Sequence, residues 1–182
     1  MMKTTLTILA LALATSVSAQ ESPLWMRYCA ISPDGSAVAF TYKGDIYTVP
    51  TTGGTARQLT TNAAYDTHPV WSPDSKQLAF CSNREGSMDV YVMQREGGTP
   101  RRLTTNSNSE TPIAFKDNNT VLYTSSIMPS AKSIIFANRM LPQVYEVGTN
   151  GSRPHLFSAL PMMDISIRPN GDLLYHDQKG YE

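Results

Sequence analysis

Hydrophobic residues in this chain come in short alternating runs separated by turn residues. After Ile31-Ser32-Pro33-Asp34-Gly35, Val38 and Phe40 alternate with Ala37, Ala39 and Thr41. After Trp71-Ser72-Pro73-Asp74-Ser75, Leu78 and Phe80 do the same around Ala79. A period of two over four to eight residues predicts strands, and small or apolar residues on the second face predict strands covered on both sides. Ile46-Tyr47-Thr48-Val49 and Val90-Tyr91-Val92-Met93 are bulky and β-branched runs suited to the next strand. No stretch between Gln20 and Glu182 shows a sustained helical period with caps.

These runs belong to a repeat. Ser32 to Ser72 is an offset of 40, whereas Asp45-Ile46-Tyr47 to Asp89-Val90-Tyr91 is an offset of 44. The unit closes on Gly53-Gly54 with Arg57-Gln58-Leu59-Thr60, matched by Gly97-Gly98 with Arg101-Arg102-Leu103-Thr104. A looser third copy runs through Phe115 to Tyr123, Gln143-Val144-Tyr145 and Gly151 to Phe157. A fourth begins at Ile165 and continues through Arg168-Pro169-Asn170-Gly171 to Glu182. Four short strands per unit of this length predict one blade of a β-propeller. The expected fold class is therefore all-β: four-stranded blades at about 24–61, 64–105 and 108–157, and an incomplete one at 160–182. That is about three and a half blades of an expected six. A two-sheet sandwich is the alternative, but it does not predict a whole unit repeating together with its turns.

Residues 1–19 read as a signal peptide rather than as part of the fold. Lys3 supplies the positive end, Leu6 to Ala14 the apolar stretch, and Val17-Ser18-Ala19 the small residues of a cleavage site. The apolar stretch is shorter than the about 20 residues that a membrane span needs. The expectation is export to a periplasm or beyond, with 20–182 as the mature partial propeller and no membrane span.

Composition narrows the function classes. Fifteen Lys+Arg balance fifteen Asp+Glu, and 16% of the residues are charged, against about 25% on average. The lack of basic excess argues against a nucleic-acid partner. Cys29 and Cys81 have no metal or redox spacing; two buried free thiols are expected, with a disulfide left open. His68 lies next to Asp66 and Thr67, but a polar connection residue bonded to backbone is the expected role. His155 and His176 have no partner of suitable spacing, and the chain has no Gly-x-Ser-x-Gly elbow. Asp34, Asp45, Asp74 and Asp89 recur with the repeat, which a structural role predicts and a catalytic pair does not. No catalytic, metal or cofactor residue is assigned. Asn118 and Asn150 match glycosylation sequons but occupy turn positions. The loop 124–142 is about 11 residues longer than its blade-two counterpart and apolar, so it either packs on its own blade or docks on another domain.

The repeated Ser-Pro-Asp-Gly, Asp-Ile-Tyr and Arg-x-Leu-Thr signature resembles the PD40 propeller repeat of TolB-like proteins and several serine peptidases. With Pro23-Leu24-Trp25-Met26-Arg27-Tyr28, Ala64-Tyr65-Asp66-Thr67 and Glu110-Thr111-Pro112 in order, the chain resembles the amino-terminal propeller of bacterial tricorn-like serine peptidases. Blades one and two match closely, while blade three departs in its long loop. The resemblance implies a domain that filters peptides toward a catalytic domain beyond Glu182, the chain itself being inactive. Its expected partners are then peptide substrates, the downstream domains of the same polypeptide and, as an open option, further copies of itself. A TolB-like envelope scaffold and the propeller of a prolyl-oligopeptidase-type enzyme are the alternatives.

Overall fold

The computed structural model describes residues 25–126, 142–158, 162–168 and 172–177. The proposed signal peptide, Pro23 and Leu24, and nearly all of the long loop 124–142 lie outside them. Every element among the described residues is a strand. The first sheet is β1 (Arg27–Ile31), β2 (Ala37–Tyr42), β3 (Asp45–Pro50) and β4 (Arg57–Gln58). The second is β5 (Asp66–Trp71), β6 (Gln77–Glu85), β7 (Ser87–Gln94) and β8 (Gly97–Arg102). The third is β9 (Glu110–Asp117), β10 (Thr120–Ser125), β11 (Gln143–Gly148) and β12 (His155–Ser158). β13 (Met162–Ile167) pairs with β14 (Leu173–Asp177). Each sheet is an antiparallel meander in chain order, as the repeat predicts. The sheets are propeller blades, and they do not close a ring.

The repeat reappears as geometry. The cross-strand pairs Phe40–Tyr47, Phe80–Tyr91 and Tyr123–Tyr145 fall at the same place in three blades, with ring centroids 5.7, 6.0 and 5.8 Å apart. The core lies between blades rather than within them. Ala37, Ala39, Ile46 and Leu59 of blade one pack against Trp71, Leu78, Phe80 and Tyr91 of blade two. Ala79, Val90, Val92 and Leu103 of blade two then pack against Phe115, Val121, Tyr123 and Tyr145 of blade three. Each strand therefore presents aromatics to the preceding blade and small or branched residues to the next. Sheets close enough to interdigitate need this large-on-small pairing.

Turn chemistry fixes the blades to one another. The Ser32 and Ser72 hydroxyls donate to Asp34 and Asp74, which also accept the amides of Ser36 and Lys76. Gly35 takes φ +69°, and Ser75 holds the matching position at φ +59°. Ser75 compensates by accepting the Asp34 amide at 3.0 Å, and Asn118 accepts the Asp74 amide in the same way one blade on. Arg57 donates to the Glu96 carbonyl and Arg101 to the Thr149 carbonyl, again one blade apart.

Candidate functional site

The first strands of successive blades, β1, β5, β9 and β13, lie side by side. At their carboxy-terminal ends they enclose a concave funnel of about 690 Å³. Its wall repeats one position: Ile31, Trp71, Phe115 and Ile167 each stand at the end of the inner strand, before the turn into the second. Trp71 is anchored by its Nε1, which donates to the Ala30 carbonyl at 3.0 Å. The Arg95 guanidinium covers its ring at 5.5 Å while pairing with Asp34 at 2.8 Å. Hydrogen bonds from Ser32 foremost, then Ser36 and Arg95, hold the Asp34 carboxyl well below the usual range. Lys116 on the rim is paired with Glu146 at 2.8 Å. The funnel is thus a largely apolar wall with Lys116, Asp117 and Arg168 also lining it.

His68 sits half-buried on β5, on the same inner strand as Trp71. Its partners differ from expectation. Its Nδ1 lies 3.2 Å from the Thr67 hydroxyl and 3.8 Å from Cys81 Sγ, and its ring stacks on Tyr28 at 3.6 Å. These are side-chain contacts, not backbone bonds. Tyr28 and His68 both take left-handed backbone, at φ +52° and +54°. The repeat carries that signal, since the two residues stand 40 apart. The trio does not make a nucleophile. Burial pushes the Cys81 thiol up to about 12, and burial also lowers the His68 imidazole. Asp66, the carboxylate that could orient His68, is held by Arg84 at 2.9 Å.

The cysteine expectation needs correcting. Both thiols are free, but Cys29 is exposed. No blade precedes β1 among the described residues to cover Cys29, whereas the likewise exposed Tyr28 and Ile31 still meet His68 and the funnel. His155 and His176 lie exposed on β12 and β14. Among the described residues no cluster of three or more His, Cys, Asp or Glu could hold a metal ion, and no helix is long and apolar enough to cross a membrane.

The recurring acids lie in the seams between blades. Thr60 accepts the Ile46 amide and donates to Asp45 at 3.1 Å, while Gln58 donates to Asp45 at 2.9 Å. One blade on, Thr104 accepts the Val90 amide and Arg102 pairs with Asp89 at 2.8 Å. The Arg-x-Leu-Thr strand thus bonds the Asp-x-Tyr strand, a tie that reaches beyond the strand-start role expected of Asp45 and Asp89.

Consecutive four-stranded meanders around an axial funnel define a β-propeller domain. Residues 23–182 match the tricorn protease N-terminal beta propeller domain, and the chain belongs to that family. It is 35% identical over 73 residues to tricorn protease homolog 1 of Streptomyces coelicolor, covering 40% of this chain and 7% of that protein. It is 38% identical over 71 residues to dipeptidyl-peptidase 5 of Porphyromonas endodontalis, covering 31% of this chain and 10% of that protein. The putative TolB of Agrobacterium tumefaciens superposes with a TM-score of 0.63 at 27% identity, over 85% of this chain and 57% of that one. The chain therefore corresponds to a small part of the curated relatives and to just over half of the TolB-like structure.

Proposed function

We propose that this chain is the amino-terminal propeller of an exported tricorn-like serine peptidase, passing peptides along its axis toward a catalytic domain elsewhere in a longer polypeptide. The observation that carries the reading is the funnel: four inner strands in a member of this family converge on one largely apolar opening. Such a wall selects by width and apolar contact rather than by recognising one charged side chain. The test is made in the polypeptide that carries the catalytic domain. Narrowing the funnel with Ala114→Trp should slow turnover of long peptides more than of tripeptides. Equal slowing of both would count against a filter. The described chain alone should hydrolyse neither, and turnover by it would overturn the reading.

The TolB-like likeness favours a second reading, a non-catalytic envelope scaffold that binds a protein partner through the same funnel. Reading the gene past codon 182 separates the two. A serine peptidase domain supports the first, and a stop after a few further blades supports the second.

A further inference from the structure

Among the described residues, each of the two seams between complete blades pairs one arginine with one of two neighbouring carboxylates, but the arginine sits on opposite acids. Between blades one and two, Arg84 takes Asp66, which is fully buried, with its Nη2 within 3.1 Å of both carboxylate oxygens. The acid left over is Asp45, partly exposed and bonded by Gln58 and Thr60. Between blades two and three, Arg102 stands at the Gln58 position and takes Asp89. The acid left over is now Glu110, which stands at the Asp66 position and is 1% exposed. In sequence, Arg84 lies two residues past Ser82, the register partner of Asp66; two residues past Ser125, the partner of Glu110, stands Ile127.

Glu110 is only half satisfied. Thr104 and the Asn106 amide donate to it, yet its Oε2 has no hydrogen-bond partner. Asp89 Oδ1, Tyr123 OH and Ser125 Oγ, in the same blades, are also buried without partners. Among the described residues, the charged and titratable groups that act on Glu110 are Asp89 and Arg102 of blade two and Tyr123 of β10; Asp89, itself raised mainly by burial, also feels Glu85. With both acids ionised, one arginine leaves this seam with a buried negative charge, which burial strongly disfavours. We propose that the seam between blades two and three is a proton-binding site, in which Glu110 carries a proton where the neighbouring seam has an arginine. A protonated Glu110 gains a donor and brings the seam to neutrality. Burial is the main force pushing its carboxyl up to about 7, with Asp89 adding to it. The site therefore titrates at neutral pH, while in the neighbouring seam Arg84 lies 2.9 Å from Asp66.

Carboxyl carbon resonances of the purified chain test this directly. One carboxyl should titrate with a midpoint near 7 and vanish in Glu110→Gln. Arg102→Gln, which removes the one cation that acts on Glu110 among the described residues, should move that midpoint upward. In denaturant titrations, the folding constant of the parent relative to Glu110→Gln should rise about tenfold per pH unit as pH falls from 7 to 4.5. The comparison with the variant cancels His68, whose pull has the opposite sign. If no carboxyl titrates above pH 6, or if the midpoint moves downward in Arg102→Gln, the proposal fails, whether or not Glu110→Gln folds.

Discussion

Tyr28 and His68 occupy the same position in successive inner strands and their rings meet at 3.6 Å, tilted by 31°, both in left-handed backbone. Non-glycine residues seldom adopt that conformation, so a pair of them at one repeat position marks a built contact between blades. It also sets a pH response. Burial lowers the His68 imidazole, so the unfolded chain takes up its proton more readily than the folded one. That loss begins as pH falls through the ordinary histidine value of 6.5 and ends once it passes the lowered folded value. Melting curves between pH 8 and 5 should show His68→Gln losing less stability on acidification than the parent; parallel curves would refute the assignment.

Arg84 and Asp66 should behave as a unit. Arg84→Met leaves a carboxylate at 0% exposure without its cation, and breaking such a pair costs about 3–5 kcal/mol. Asp66→Asn in the same chain should recover part of the loss. Urea midpoints of the two single variants and the double variant provide the check, and additive losses would mean that the pair is not coupled.

Leu103 and Leu156 stand at neighbouring positions of the blade-closing strand, Leu156 matching Arg102 by register, and they have different fates. Leu103 is 6% exposed against blade three, whereas Leu156 is 50% exposed. Leu103→Ala should cost about 2–5 kcal/mol through a cavity, and Leu156→Ala about 0.5 kcal/mol or less. Equal losses by chemical denaturation would show that Leu156 is covered in solution.

The two thiols should separate cleanly. Iodoacetamide at pH 8 should label exposed Cys29 and spare Cys81, which is buried with its thiol pushed up to about 12. Mass spectrometry of the native protein is expected to show one adduct, rising to two after denaturation.

The blades were legible in the sequence because their cause is local. Ser-Pro-Asp-Gly sets a turn, alternation sets a strand, and Gly-Gly sets the next turn, so the meander follows without tertiary information. The seams were less legible because they join residues some 40 apart. The exposure of Cys29 depends on which neighbour β1 lacks. The stacking of His68 depends on Tyr28, and the isolation of Glu110 on which acid its arginine chooses. One trace did show: Gln58 and Arg102 differ at an otherwise matching position, and that exchange gives Asp89 a cation where Asp45 has an amide.

Because the hydrophobic clusters lie between blades, no blade owns an interior. Stability then accrues as a chain of nearest-neighbour couplings, as in a linear array of repeats. Blades two and three, each coupled on both sides, should be the last to open and the slowest to exchange their amide protons. Unzipping would start at the outward face of β1 and at the β13–β14 pair, so the molecule would come apart from its ends inward.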